Sequence, residues 1–521
     1  MASGSASVMP DARGTRPEDE RLGARRTTVY ALQHILTMYG GLIAVPLVVA
    51  SAAGYDAQTT ALLVAAALFV GGFATFLQAW GLPKIGSQLP LVQGVSFTGI
   101  ATMLSVLATG GGMQSVMGSI MVASVIGFLA APFFARVLRF FPPVVTGSII
   151  TTIGITLVPV AASWSMGGTR EAPDYGALEN IALAGFTLLA VLLLSKFGGA
   201  MLSRLAILVA IVLGTAVAWA VGLADFSGVG QGPWVSLPTP FHFGLPTFHA
   251  AAIVAMTIVI LVNMAETTAD ILALSEITGS RINSARIADG LRADMLSSAV
   301  APVFNSFTQT AFVQNVGLVA ITKVKSRYVV AVGGVFMVLL GMLPVLGQVI
   351  AAIPLPVMGG AGFVLFGTVM SSGIRTLARV DYRGGMNLII VAVSLSFGMV
   401  PIVEPNFYAA FPEWVGIIFS SGISSAAVAA LAMNFFFNEL SSHKRSTETM
   451  GLGTVGLRVL SPREAEALQD GDQFVDGRLL DARGREIPFA TSQEQYESVR
   501  ERINAGELKS LDDIRAACHE K

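Results

Sequence analysis

The chain has 521 residues, of which 53% are hydrophobic and only 12% are charged, with a formal net charge of -1 and a mean hydropathy of +0.69. Soluble globular domains carry about 25% charged residues, so the composition excludes a soluble globule and predicts a polytopic membrane protein. The net charge is close to zero and does not indicate the positive charge that binds nucleic acid. The single cysteine, Cys518, excludes an intramolecular disulfide framework.

Three parts follow one another along the chain. Residues 1–28 are polar and contain five arginines without an apolar run, which predicts a cytoplasmic N-terminal tail. Residues 439–521 are mixed in charge and predict a cytoplasmic C-terminal tail, with short strands in 471–489 and helical spacing in 492–520. Between them, residues 29–438 form a transmembrane region of apolar blocks, each close to the length of about 17 to 25 residues that spans a bilayer.

This middle region divides into fourteen blocks. They cover residues 29–50, 58–80, 88–108, 114–138, 142–163, 179–197, 203–223, 247–275, 288–305, 310–322, 326–353, 355–372, 385–402 and 414–438. Fifteen Lys and Arg residues fall between 29 and 438, and all except Arg170 lie near connections that follow an even-numbered block. Because basic residues concentrate on the cytoplasmic side, this pattern supports the count and places both termini in the cytoplasm.

An internal repeat adds a second constraint. The segment Pro143–Gly147, with Gly154 seven residues further on, recurs as Pro356–Gly360 with Gly367, at an offset of 213 residues. The copies open the fifth and twelfth blocks, and this odd separation makes them cross the membrane in opposite senses, as in inverted-repeat transporters. The alternative is that Pro and Gly simply recur at the starts of membrane helices.

The third and tenth blocks are interrupted. The third begins Gln88-Leu-Pro-Leu-Val-Gln-Gly94, and the tenth follows the polar stretch Asn305–Gln309 and is only about a dozen residues long. Short half-helices with extended backbone beside them offer free N–H and C=O groups to a polar ligand at the membrane midplane. Two carboxamides, Gln314 and Asn315, lie in the tenth block and need partners there, because an unpaired amide in hydrocarbon costs a few kcal/mol.

Acidic residues lie within the membrane region as well. Glu266 and Asp270 are four residues apart in the eighth block, so their carboxyl groups share a helix face, and Asp294 begins the ninth block. Carboxyl groups in a medium of low dielectric suit the uptake and release of a proton during transport. The alternative is that such acids pair with Arg292 or cap a helix, as we expect of Asp289. His34 in the first block is either a proton relay or a core histidine with satisfied hydrogen bonds.

At these positions the chain resembles the nucleobase-ascorbate transporter family. Gln314-Asn315-Val-Gly317, followed by Thr322-Lys323, is similar to the family signature of Gln or Glu, Asn, any residue, Gly, four residues, Thr, and then Arg, Lys or Gly. Further matches follow in the expected order at Gln33-His34, Ser96-Phe97, Ala265-Glu266 to Asp270, and Asp294. The resemblance covers about 29–438. It implies fourteen segments in two inverted seven-helix repeats, an all-α core domain against a gate domain, and a homodimer.

Carried over by position, the resemblance assigns roles to ten residues. Glu266 and Gln314 would hold the base, Phe97 and Phe312 would stack on it, Val313 would offer its backbone, and Ser96 would complete the substrate site. Asn315 would support the site, Asp270 and Asp294 would serve coupling, and His34 would orient its neighbours. The core domain would comprise about 29–138 and 247–353, and the gate domain about 142–223 and 355–438.

The same resemblance narrows the range of expected substrates. Uracil-type members have an acid where Gln314 stands and a histidine where Asp270 stands, so this chain resembles the bacterial xanthine and uric acid permease branch. We expect proton-coupled import of an oxopurine across the bacterial inner membrane, with the lipid bilayer as surroundings and without catalytic residues, metal or cofactor. The alternatives are a uracil or other nucleobase permease, a sulfate-type anion transporter with the same inverted-repeat plan, and an intramembrane hydrolase using Asp270 and Asp294.

Overall fold

The structure is a computed structural model, and it describes most of the chain. The described residues are 16–440, apart from 135–137, 169, 171, 231–232 and 383–384, together with 473–475, 478–480, 498–499, 502 and 517. Residues 1–447 form one compact unit and residues 448–521 a second.

The first unit is built almost entirely of helices. They are α1 Ala24–Ala53, α2 Ala57–Trp80, α3 Ile100–Ala108, α4 Gly112–Ala130, α5 Pro143–Ser165, α6 Leu178–Phe197, α7 Gly199–Leu202, α8 Ala206–Ala220, α9 Ala250–Thr278, α10 Ser284–Val300, α11 Val313–Thr322, α12 Arg327–Gly341, α13 Pro344–Ala351, α14 Leu355–Leu377, α15 Met386–Val403, α16 Glu413–Phe419 and α17 Gly422–Asn434. Two strands interrupt them, β1 Gln93–Val95 and β2 Gln309–Ala311. Short 3-10 turns cover Pro17–Asp19, Ala131–Phe133, Leu138–Phe140 and Ala301–Phe304, and a π-helical turn covers Phe435–Glu439.

The structure confirms a helical membrane protein and leaves the count of fourteen spans unconfirmed. Among the described residues, eight helices are long and apolar enough to cross a membrane, or nine if α12 and α13 form one span. Those two helices are bent by 77° where Pro344 begins the second, so the predicted block 326–353 is a broken helix. The predicted third and tenth blocks each contain a strand followed by a short helix, α3 and α11, which agrees with the expected extended stretches.

The helices pack as two bundles. In the first bundle, α2 packs along α12 and α13, α4 packs on α9 and α10, and α1 packs against α2 and α12. In the second bundle, α5 packs along α14, α6 packs on α8 and α14, and α15 packs on α17. We use "first bundle" for α1–α4 with α9–α13, and "second bundle" for α5, α6, α8, α14, α15 and α17.

The two copies of the sequence repeat begin α5 and α14, and these helices are in close antiparallel contact. A Cβ on Gly154 would lie 2.4 Å from the Met370 backbone nitrogen, and one on Gly359 would lie 2.4 Å from the Ser165 nitrogen. Gly154, midway along α5, therefore lies beside Met370, late in α14, and Ser165, at the end of α5, lies beside Gly359, near the start of α14. The repeat copies run in opposite senses, as the odd block separation predicts.

Residues 16–20, which lie in the predicted tail, contact the ends of two helices. The helix α1 begins at Ala24, inside the predicted tail 1–28, and residues 16–20 lie against the helix ends that carry Arg286 and Arg327. Glu18 is 1% exposed and pairs with Arg286 at 2.5 Å, and Asp19 pairs with Arg327 at 2.6 Å. We call the end of the molecule with Arg286, Arg292, Lys323 and Arg327 the basic end.

The second unit contains a short hairpin among its described residues. Strand β3 Gln473–Val475 pairs antiparallel with β4 Arg478–Leu480, within the stretch 471–489 expected to hold strands. The helical spacing expected over 492–520 falls mostly outside the described residues.

Candidate functional site

The two interrupted segments meet in the middle of the first bundle. Strands β1 and β2 pair antiparallel, with Gln93 opposite Ala311 and Val95 opposite Gln309. The pairing is extended by the Phe312 N–H, which donates to the Val92 carbonyl at 3.0 Å. Helices α3 and α11 then leave this ribbon at opposite ends, because its strands are antiparallel, so their amide-rich N-termini lie on either side of it.

A glycine makes this crossing possible. A Cβ on Gly94 would lie 2.6 Å from Phe312 Cε2 and 2.7 Å from Leu42 Cδ1, which real side chains do not tolerate. The absent side chain lets the Phe312 ring pass directly over β1. Gly41 of α1 provides a second flat surface, since a Cβ there would be 3.0 Å from Phe312 Cε1 and 3.7 Å from Phe97 Cζ.

Aromatic rings from both bundles surround this crossing. The Phe97 and Phe312 rings lie 6.3 Å apart at 45°, so they contact each other in this state. Phe97 also meets the edge of Phe366 of α14 at 6.2 Å, and Phe366 contacts Trp164 of α5 at 6.3 Å. Sequence reasoning missed Phe366 and Trp164, because an aromatic residue in an apolar helix carries no distinguishing pattern.

Gln314 lies in the first turn of α11 and lines a cavity of about 280 Å³ between the two bundles. Phe312, Gly317 and Gly41 line it from the first bundle, and Arg204 and Thr368 line it from the second. The cavity extends along α11 to Ile321, two residues before Lys323 of the basic end. Val313, which precedes Gln314, is 43% exposed.

Glu266 lies beside the crossing but does not line that cavity. Its Oε2 accepts a hydrogen bond from Thr98 Oγ1 at 3.1 Å. Ser96 is fully buried: its hydroxyl donates to Asn263 Oδ1 at 2.9 Å and accepts from the Thr98 N–H at 3.1 Å. Ser96 therefore shapes the turn that carries Thr98, and Thr98 fixes the Glu266 carboxyl.

Asn315 joins α11 to α1. Its buried Nδ2 donates to the His34 carbonyl at 3.0 Å and lies 3.0 Å from His34 Nδ1. With Nδ1 as the acceptor, a neutral His34 carries its proton on Nε2. The supporting role expected of Asn315 and the orienting role expected of His34 stay predictions.

The remaining acids lie deeper in the first bundle. Asp294 is fully buried, and its Oδ2 accepts from Thr267 Oγ1 at 2.5 Å. Thr267 also lies 3.3 Å from Thr310 Oγ1 and accepts from the Ala311 N–H at 3.4 Å, so it ties the acid to β2. Thr267 directly follows Glu266 in the sequence. Its contact with Asp294 was not predicted, because threonine is common in membrane helices and its pattern here does not indicate a site.

Arg292 does not neutralise this acidic group. Its Nη1 pairs with Asp289 Oδ1 at 2.6 Å, as expected of Asp289, and not with Asp294. The N-cap of α10 is Asn283, whose Oδ1 accepts from the Arg286 N–H at 2.9 Å. Among the described residues, no three His, Cys, Asp or Glu side chains are arranged as metal ligands.

A second cavity lies between the bundles on the other side of the aromatic rings. It has a volume of about 250 Å³ and is lined by Val48, Ser51 and Leu104 of the first bundle and Pro159, Ser163 and Trp164 of the second. Ser51 lies near the end of α1 that is opposite to the basic end. The Phe97, Phe366 and Trp164 rings therefore separate two cavities that follow the same boundary.

Comparison of the sequence with known families gives one match over most of the chain. Residues 25–407 match the model of a permease family that includes xanthine and uric acid permeases. The chain is 37% identical to the xanthine permease of Bacillus subtilis, over 82% of this chain and 97% of that protein. It is 39% identical to the uric acid permease PucK of Bacillus subtilis, over 80% and 97% of the two chains. It is 36% identical to the uric acid transporter UacT of Escherichia coli, over 84% and 92%.

Solved structures share the fold at much lower sequence identity. The transmembrane domain of the cyanobacterial bicarbonate transporter BicA matches with a TM-score of 0.53 at 16% identity, over 80% of this chain and all of that one. The murine anion transporter Slc26a9 in its inward-facing state matches with a TM-score of 0.56 at 13% identity, over 84% and 73%. These matches support the fold alone.

Proposed function

We propose a function from one premise: the chain belongs to the nucleobase-ascorbate transporter family of permeases. The relatives of the chain that are named above are xanthine and uric acid permeases, and they are not enzymes. Our proposal is that this chain imports an oxopurine, xanthine or uric acid, by proton symport. The observation that carries it is Gln314 beside Phe312 at the start of α11, facing a cavity between the two bundles.

The chemistry of Gln314 suits an oxopurine. A carboxamide presents one donor and one acceptor in a plane, which matches the alternating N–H and C=O groups along the edge of such a base. Glu266 accepts a hydrogen bond from an N–H group on a second edge of the base. The exposed start of α11 at Val313 brings a backbone N–H to the base. Phe97 and Phe312 stack on the base, and they separate to admit it because their rings touch in the present state.

Movement of one bundle against the other exposes the site alternately. The first bundle corresponds to the proposed core domain (29–138 and 247–353), and the second to the proposed gate domain (142–223 and 355–438). The two cavities on one boundary, separated by the Phe97, Phe366 and Trp164 rings, support this mechanism. The cavity that holds Gln314 reaches the basic end, so the present state opens to the cytoplasm, with both termini on that side.

Proton coupling rests on the buried acids. Glu266, Asp270 and Asp294 lie within one bundle, and protonation removes their charges before the bundle moves. One charge driven by a potential of 100 mV supplies about 2.3 kcal/mol, enough for roughly fiftyfold accumulation. The protein acts in the bacterial inner membrane, as a homodimer in keeping with its family resemblance.

Anion transport is the second candidate, since the fold is shared with a bicarbonate transporter and with Slc26a9, although a shared fold does not fix the substrate. It does not account for a carboxamide in the cavity next to a buried carboxyl group. A uracil permease is a third candidate, and Gln314 with Asp270 argues against it. Uptake of labelled xanthine before and after a protonophore tests the proposal: accumulation that persists without a proton gradient, or that follows sodium, contradicts proton symport.

A further inference from the structure

A group of buried polar side chains extends from the acidic residues to the basic end, inside the first bundle. We propose that Gln78, Ser87, Gln93 and Asp294 line a hydrated path by which the coupled proton reaches the basic end, separate from the cavity that takes the base. We call these four residues the polar seam. The inference rests on the proton symport proposed above and adds the route of the proton.

The members of the polar seam are buried without enough partners. All four side chains are 0% exposed. Within the described part of the chain, Gln78 Nε2 and Ser87 Oγ have no hydrogen-bond partner, and the Gln93 side chain and Asp294 Oδ1 have only the close approach that they make to each other. Each unpaired buried group costs about 1–3 kcal/mol, and a buried water with two to four polar neighbours removes that cost.

The outer members surround a glycine. The Ser87 N–H donates to Gln78 Oε1 at 3.2 Å. A Cβ on Gly290 would lie 2.7 Å from Ile271 Cδ1, 3.1 Å from Ser87 Cβ and 3.3 Å from Gln78 Nε2. Gln78 and Ser87 therefore both face the glycine, beside the Ile271 methyl group, and only a residue without a side chain fits between them.

Helix α10 connects this space to the acid. Arg286, Gly290 and Asp294 are four residues apart and share one helix face, over a length of about 12 Å. At the inner end, Gln93 faces the Asp294 carboxyl. The Gln93 backbone is bonded to Thr75 Oγ1 at 2.9 and 3.0 Å, which places Gln93 about one turn of α2 from Gln78.

Both ends of the polar seam meet groups that suit proton transfer. At the inner end, Asp294 accepts from Thr267 and lies near Asp270, which in turn lies near Glu266. At the outer end, Arg286 Nε donates to the Ser87 carbonyl at 2.6 Å and pairs with Glu18. The carboxylic acid of Asp294 gives its proton to a water and becomes a carboxylate, and the waters pass the proton outward.

The polar seam does not share its lining with the base cavity. The cavity is bordered by α1, α11 and α14 and by residues at the start of α8, and no member of the seam lies in its wall. Asp289 and Arg292, the other charged residues near this part of α10, pair with each other. The proton can therefore leave without crossing the base, and the route lies within one bundle.

Comparison of net uptake with exchange tests this route. Net uptake by symport requires proton release at the basic end, whereas exchange of labelled for unlabelled base does not. In proteoliposomes with an imposed proton gradient, we expect Gln78→Leu and Gly290→Ala to lower net xanthine uptake about tenfold, within the usual range of coupling energies. Exchange should stay within about twofold of the unaltered protein.

Two control variants match these changes. Ser124→Ala removes a buried hydroxyl on α4 that also lacks a partner among the described residues. Gly333→Ala adds a Cβ with no neighbour closer than 3.6 Å. Both should leave net uptake and exchange unchanged. Unaltered net uptake in both seam variants overturns the route, and so does an equal fall of net uptake and exchange in both. If the unaltered protein ignores the proton gradient, the proposed symport itself fails.

Discussion

Thr98 Oγ1 donates to Glu266 Oε2 at 3.1 Å, across 168 residues of sequence. This bond joins the start of α3 to the middle of α9, and it holds a carboxyl group beside the crossing of β1 and β2. The first prediction depends on it.

Glu266→Gln should abolish accumulation of xanthine, because an amide cannot take up the coupled proton. Thr98→Val should raise the KM for xanthine roughly tenfold while leaving accumulation in place, since a hydrogen bond to a charged group contributes about 1.5 kcal/mol or more. Thr98→Ser keeps the hydroxyl and serves as the control. Initial uptake rates over a range of xanthine concentrations check all three, and normal accumulation by Glu266→Gln rejects the role of Glu266.

Gly94→Ala should eliminate transport. The new Cβ would lie 2.6 Å from Phe312 Cε2 and 2.7 Å from Leu42 Cδ1, so the Phe312 ring would be displaced from its place over β1, where it is proposed to stack on the base. Gly333→Ala, whose Cβ has ordinary contacts, is the matched control. Uptake and the amount of folded protein in the membrane are measured together, and full activity of Gly94→Ala contradicts the crossing described above.

The two interrupted segments were predicted from the sequence, whereas the way in which they meet was not. The interruptions near Gln88 and Asn305 predicted the extended stretches, because Pro, Gly and side-chain amides in a membrane segment favour a backbone that departs from a regular helix. The pairing of β1 with β2 was not predicted, since the strands are too short to show a period of two residues. The break at Pro344 was missed, because membrane helices tolerate proline.

The ion pair between Glu18 and Arg286 could not be predicted from the sequence either. Glu18 was assigned to a polar tail, and its partner Arg286 is 268 residues away, so no local pattern links them. Phe366 and Trp164 were missed because their importance comes only from the ring of Phe97 that they approach. Gln314, Asn315, Glu266 and His34 were predicted as site residues because polar groups in an apolar segment must have partners, and their roles stay predictions.

Asn315→Asp should impair the protein more than Asn315→Ala. The aspartate places a carboxylate oxygen against the His34 carbonyl and Nδ1, both of which are acceptors, whereas alanine only removes the bond. Thermal unfolding in detergent and xanthine uptake report the difference. The opposite order of stability shows that the Asn315 Nδ2 is not the atom that binds His34.

Glu18→Gln should lower the free energy of unfolding by about 3 kcal/mol, the lower end for a broken buried ion pair, because Arg286 keeps its bonds to two backbone carbonyls. Glu20→Gln is the control, since the Glu20 side chain is exposed. Thermal unfolding of the purified full-length chain provides the comparison. Equal stability of the two variants contradicts the close attachment of residues 16–20 to the basic end.

Gln314→Glu should change which bases compete for uptake. A carboxylate offers only acceptors, so the variant loses the donor that faces the base carbonyl and favours bases with more N–H groups on that edge. The loss of one such bond at a buried site costs about 1–3 kcal/mol. An unchanged order of competition for Gln314→Glu places the base away from Gln314.

Inhibition of labelled xanthine uptake by unlabelled solutes, measured on the unaltered protein, tests the proposed substrate most directly. We expect saturable uptake that unlabelled xanthine or uric acid suppresses, and that an equal excess of uracil or bicarbonate leaves intact. Uptake that uracil or bicarbonate suppresses, while xanthine and uric acid do not, contradicts the assignment of this chain as an oxopurine importer.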